Sequence, residues 1–152
     1  IDDTLDALHR PLSAGPLQDS LDVIHSVCRG QSFMQDYQAI TSLMEARSDW
    51  LRQAGENLAK GSPSTAALTW LLWQWGKTAP AWSRVFELEK TLAEWKTVHP
   101  DFNEGVRARL VDKDLSPSWQ AKSFNSLKEA LGTVPVADDP EWMEILQKFD
   151  VV

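Results

Sequence analysis

At 152 residues, 43% of them apolar, the chain suits one compact domain, and at this length folding buries roughly 68–70% of the surface that the unfolded chain exposes. A formal charge of −7, from 15 basic and 22 acidic side chains, argues against a nucleic-acid partner, because phosphate affinity needs clustered Lys and Arg. The single cysteine, Cys28, excludes an internal disulfide and a cysteine zinc site, and the longest apolar run, Ala66 to Trp75, is broken by Thr69 and Gln74 far short of the ~20 residues of a membrane span. These features predict a soluble protein of a reducing compartment, cytoplasm or mitochondrial matrix, without membrane contact. A start at Ile1, with no basic-then-apolar leader, reads as a processed or excised piece of something longer.

Residues 1–18 carry Pro11, Gly15 and Pro16 with weak periodicity, an irregular lead-in. Helical spacing then recurs in Leu21, Ile24, Val27 and Cys28 up to Gly30, in Phe33, Tyr37, Ile40, Leu43 and Met44, and in Trp50, Leu51, Ala54 and Leu58 up to Gly61. Ser62 before Pro63 places a capping hydroxyl ahead of a proline at the first helical position. The helix it opens has Leu68, Leu71, Leu72 and Trp75 on one face and Trp70 and Trp73 on another, so it should be buried on several sides. After Gly76, the residues Trp82, Val85, Phe86, Leu88, Leu92 and Trp95 mark a longer helix that ends before Pro100.

Asp101 and Glu104 have the spacing of a capping box, with Val106 and Leu110 as the buried pair of the short helix that follows. Gly105 costs that helix about 1 kcal/mol relative to Ala, which predicts close approach of another backbone. Pro117 and Trp119 should turn the chain and pin it through a buried indole. Ser123 opens a helix that stops at Gly132, and Asp139 with Pro140 opens a last one with Trp142, Ile145, Leu146 and Phe149 inside. Nothing alternates as a strand does. The expected fold is all-α with seven to eight helices: a lead-in over 1–18, a helical domain over 19–132, and a linker with a terminal helix over 133–152.

Catalytic signatures are scarce. Glycine-rich phosphate loops, the serine-hydrolase elbow and the zinc-protease motif are all missing. His9 and His99 have no metal-ligand partner three or four residues on and His25 has Cys28 alone, too few for a metal site, which favours solvated or capping imidazoles. Cys28 lies three residues after His25, but the pair lacks an orienting acid and reads as a small buried hydrophobe with a neighbour. Glu87, Glu89 and Glu94 read as the wet side of an amphipathic helix rather than an acid/base pair. No catalytic or metal-binding residue is predicted.

One stretch is distinctive. "DFNEGVRARLVDKDLSPSW" at 101–119 resembles the closing signature of the 3-hydroxyisobutyryl-CoA hydrolase branch of the crotonase (enoyl-CoA hydratase/isomerase) superfamily, carried here by Asp101, Phe102, Glu104, Gly105, Asp112, Asp114, Pro117 and Trp119. "LAKGSPST" at 58–65 is similar to the family's Ser-Pro element, and "FELEKTLAEW" at 86–95 to the helix before the signature. The resemblance implies the C-terminal helical part of a crotonase-like fold without its ββα spiral core, inactive alone. It implies an acyl-CoA thioester of valine catabolism as the parent's substrate, no covalently bound cofactor, and packing against the parent's crotonase-fold core, with self-association of the isolated piece. It also implies that Lys113 resembles a lysine near the CoA phosphates, although Asp112 and Asp114 beside it favour a local salt bridge instead. Arg107 and Arg109 then read as surface charge or as members of a buried pair with Glu104 or Asp112. A stand-alone helical protein-interaction module of the same descent is the alternative.

Overall fold

The computed structural model describes residues 15–78, 81–121, 124–135 and 140–149. Among these residues there are nine α-helices and no strand: α1 (Pro16–Asp19), α2 (Leu21–Val27), α3 (Phe33–Ser42), α4 (Asp49–Lys60), α5 (Pro63–Gly76), α6 (Trp82–Val98), α7 (Pro100–Val106), α8 (Phe124–Leu131) and α9 (Pro140–Phe149). The all-α expectation holds. The helix beyond the expected eight is the short α1, whose Pro16 sits at a first-turn position where a missing N–H costs nothing. The expected starts at Ser123 and Asp139, His9 and most of the lead-in lie outside the described residues.

The core forms around α5, which contributes Ala67, Leu68, Trp70, Leu71 and Trp75. Against them pack Phe33 of α3, Leu88 and Leu92 of α6, Leu127 and Leu131 of α8, and Trp142 of α9. Full burial of a leucine such as Leu71 contributes about 1.5–3 kcal/mol, so α5 is the main source of cohesion. Ser62 caps α5 as the sequence predicts, its hydroxyl accepting from Thr65 N, and Ser48 does the same for α4 through Leu51 N.

Several burial expectations fail for identifiable reasons. The buried stripe of α6 is Leu88 and Leu92 with Val85 and Trp95 alongside; Phe86 falls one residue off it and Trp82 lies in the first turn, leaving them 64% and 80% exposed. Trp73 is likewise on the outer flank of α5. α2 ends at Val27 rather than Gly30, has no buried residue, and leaves Cys28 only half-buried. Gly30 follows with φ of 70°, the left-handed turn that glycine allows.

Candidate functional site

The Ser-Pro element and the 101–119 stretch, apart in sequence, meet at Asp101. His99 precedes Pro100, which forces it into extended backbone, and its Nδ1 accepts from Asp101 N at 3.2 Å. His99 is therefore the cap of α7, and the expected capping role of Asp101 is overturned: its carboxylate turns inward and is 2% exposed. Asp101 Oδ2 accepts from Ser62 Oγ at 2.6 Å and Ser64 Oγ at 2.7 Å, while Oδ1 accepts from Gln120 N at 2.8 Å. Lys96 Nζ donates to Ser64 Oγ at 2.5 Å and stands 3.6 Å from Asp101 Oδ2.

Burial by itself would raise the Asp101 carboxyl, yet the hydrogen bonds from Gln120, Ser62 and Ser64, with the Lys96 charge, bring its pKa down to about 2. Burial lowers the Lys96 ammonium, partly offset by Asp101. Burial and the Lys96 charge also lower His99, which keeps Nδ1 free of a proton and able to cap. Serine, lysine, histidine and aspartate are the parts of a nucleophilic site, but Ser64 is 0% exposed and both serine protons go to the carboxylate. Ser64 is sealed from solvent, and Ser62, half-buried beside a cleft, has its hydroxyl proton committed to Asp101. The cluster is a tether between two motif segments.

The second centre is Arg107. Glu104 receives it in a two-point contact at 2.9 and 2.8 Å, Asp112 and Asp114 each accept from Nη1 at 2.6 Å, and the Ser116 carbonyl accepts from Nη2 at 3.3 Å. Glu104 Oε1 also accepts from Ser118 N, so it braces the loop rather than returning a bond to its own helix start. The partners Glu104 and Asp112 are those the sequence offers, but the group is part-exposed rather than a buried pair. Asp114 is held below the usual carboxylate range by Arg107 first and Ser116 N second.

Both aspartates that flank Lys113 thus turn to Arg107. Among the described residues Lys113 makes no ion pair, against the local salt bridge that its neighbours favour. Lys113 and Leu115 hold φ of 57° and 55°, a left-handed conformation that costs a non-glycine residue about 1–3 kcal/mol. The loop is braced into this shape by Arg107 and by Leu115 N donating to Ala108 O at 3.1 Å.

Asp112 N donates to Arg107 O, five residues back, so 107–111 winds as a wide π turn. That extra residue rotates the helix face: Ala108 is buried, while Leu110, expected inside with Val106, is 69% exposed. Phe102 is also largely exposed. Trp119 is half-buried, not buried, but it does pin the chain, since Nε1 donates to Lys60 O at 3.0 Å across 59 residues. Pro117 beside it is half-buried. Gly105 faces the Trp119 ring rather than a backbone, and a Cβ there would sit 3.4 Å from it, an ordinary contact.

The other acids and bases behave as surface groups. Glu87 pairs with Arg84 and Glu94 with Lys90 on the exposed side of α6, Glu89 is exposed, and so are His25 and Arg109. Burial first and the Asp36 charge second raise the Cys28 thiol, which makes a poor nucleophile of it. Asp36 is the residue the sequence reading misses. It is 4% exposed and accepts from Arg29 N, Gly30 N and Trp70 Nε1 at 3.1, 2.7 and 2.8 Å. Its signal is present: it is an acid in an apolar stripe with Phe33, Tyr37 and Ile40.

The enoyl-CoA hydratase/isomerase family model matches residues 1–133. The chain belongs to that family. Three curated relatives, each a mitochondrial 3-hydroxyisobutyryl-CoA hydrolase, are similar to it: 33% identity over 84 residues with the Dictyostelium discoideum protein, 39% over 79 with that of Danio rerio, and 29% over 113 with that of Gallus gallus. The matches cover 55%, 52% and 74% of this chain but only 22%, 20% and 28% of the relatives, so the chain spans about a quarter of their length. No solved structure matches. As a family member, the chain carries the Ser-Pro and DFxEGVRA elements as one braced unit through Asp101.

Proposed function

We propose that this chain is the C-terminal helical part of an acyl-CoA thioester hydrolase acting on 3-hydroxyisobutyryl-CoA in valine catabolism, and that it packs on the catalytic core without supplying the catalytic groups. The observation that carries this reading is the use to which the family's signature residues are put: Asp101, Glu104 and Arg107 spend their charges on Ser62, Ser64, Asp112, Asp114 and the loop backbone. Groups committed in this way hold a shape and are not poised for proton transfer. The relatives' names support the substrate and the mitochondrial compartment. Among the described residues fourteen large apolar side chains are exposed, Trp82 and Phe86 among them, which supports cover by a further domain or by a second copy.

Lys113 is the residue proposed to meet the CoA phosphates. Its side chain is exposed on a braced loop and makes no ion pair among the described residues, and a point charge on a flexible stem suits a phosphate. The test is thioester hydrolysis by this chain beside a protein extended upstream into the core. Activity in the extended protein alone supports the reading, and a raised KM for CoA esters in its Lys113→Ala variant places the lysine at the ligand. Turnover by the 152 residues alone would overturn it. Binding of a non-family protein by a natively short chain, with no acyl-CoA hydrolysis in any longer form, would favour the interaction-module reading.

A further inference from the structure

A cleft of about 420 Å³ opens between α3, the end of α4 and the outer face of α5. Its walls are almost wholly apolar, with Phe33, Tyr37, Trp70 and Trp73 supplying four aromatic rings and Ile40 and Ala66 filling between them. None of the signature residues from Asp101 to Trp119 lines it; it touches the braced unit only at its rim, through Gly61, Ser62 and Thr65 of the Ser-Pro element. The polar side chains on its wall are Asn57, Ser62, Thr65, Thr69 and one carboxylate, Asp36, 4% exposed.

Buried carboxylates are ordinarily paired with a cation, because hydrogen bonds from neutral donors satisfy the oxygens without cancelling the charge. Asp36 has three such donors, and among the described residues it makes no ion pair. Two basic residues border the segment that donates to Asp36, Arg29 within it and Lys77 packed on Gly30, and both side chains have other partners. Arg29 Nε donates to Ser26 O, and Lys77 Nζ donates to Gln74 Oε1 while lying 3.5 Å from the centre of the Trp73 ring. The Asp36 charge is felt within the cleft, since it helps to raise the thiol of Cys28 on the same wall. Lys77 over Trp73 also shows that an aromatic ring of this region accepts an ammonium on its face.

From a buried carboxylate that makes no ion pair among the described residues, the aromatic walls and the open volume, we infer that this cleft binds a small organic ammonium, with its apolar body against Phe33, Tyr37 and Ile40 and its charged head towards Asp36 and Trp70. Apolar walls alone would accept any hydrocarbon of the right size. The buried anion makes the site selective for positive charge, because opposite charges attract more strongly where water is excluded and because the rings present their negative faces. A carboxylate-bearing ligand of the same shape should be rejected.

Three probes of equal length separate these elements: n-hexylammonium, n-hexanol and hexanoate, titrated into the chain while the assigned indole N–H resonances of Trp70 and Trp73 are followed by NMR. Hexylammonium is expected to bind about tenfold tighter than hexanol, with no saturable shift from hexanoate. Ala66→Phe, which fills the cleft and leaves Asp36 in place, should abolish the response. Asp36→Asn, where it folds, should bring hexylammonium down to the hexanol level; where it does not fold, the probe series on the natural chain decides. Equal affinity for hexylammonium and hexanol, or a response that survives Ala66→Phe, would overturn the inference.

Discussion

Asp101 is shared by two hydroxyls, an amide and an ammonium, so truncating it leaves several buried groups without an acceptor. Asp101→Ala is expected to cost about 3–5 kcal/mol in urea unfolding, because Lys96 is then stranded, and Asp101→Ala with Lys96→Met should recover part of the loss. The pH dependence follows from the lowered carboxyl. Its folded pKa of about 2 lies below the ordinary 3.8, so its contribution, about 2 kcal/mol, is complete above pH ~4 and is lost as pH falls towards 2. An Asp101→Asn variant should lack that acid limb. His99 has the opposite chemistry and the same direction: a base with a lowered folded pKa loses stability as pH falls below its unfolded value of about 6.5, so His99→Asn should flatten that limb. The inward role of Asp101 is not legible in the sequence, since Ser62 and Ser64 lie 39 and 37 residues away; a local rule finds only a cap. Asp36 was within reach of such a rule, as a lone acid in an apolar stripe.

Local signals identified the helices well. Ser62 and Ser48 work as caps because a hydroxyl needs only the next turn to find its partner. Faces were less legible. The spacing of Val106 and Leu110 assumes an unbroken α-helix, and the π turn at 107–111 moves Leu110 to the outside. Glycines divide in the same way. At Gly55 in α4 an added Cβ would lie 2.7 Å from Met44 N and 3.0 Å from Ile40 O, so Gly55→Ala should destabilise by about 1–3 kcal/mol. Gly105 has only the Trp119 ring at ordinary contact distance, and Gly105→Ala should raise the melting point through a stabilisation of about 0.4–1 kcal/mol. The braced loop has its own test. With Arg107→Gln, hydrogen exchange at Leu115 N and Ser118 N should accelerate while α5 amides keep their protection.

The surface of the whole molecule follows from what α6 and the 107–115 segment leave outside. Trp82 and Phe86 at the start of α6 are 80% and 64% exposed, and Leu110, Val111 and Leu115 each exceed two-thirds. Such side chains associate in water, so the chain should show concentration-dependent sedimentation that Trp82→Ser with Phe86→Ser reduces. If the mass stays that of one chain at every concentration, the exposed aromatics are not a contact between copies.

The link from Asp101 to Ser62 and Ser64, with Trp119 reaching Lys60 O, closes a long circuit of backbone. The entropy of closing such a circuit grows only with the logarithm of its length, about 0.6 kcal/mol for each doubling. Insertions and deletions between the two ends are therefore inexpensive, provided α5 and α6 keep their core faces. Within 99–104 the opposite holds, because one added residue would rotate Asp101 away from the serines and leave the carboxylate in solvent. Length should consequently drift among relatives between Ser64 and Lys96 while His99-Pro100-Asp101 stays in register, a pattern of variation set by polymer statistics rather than by chemistry at a catalytic centre.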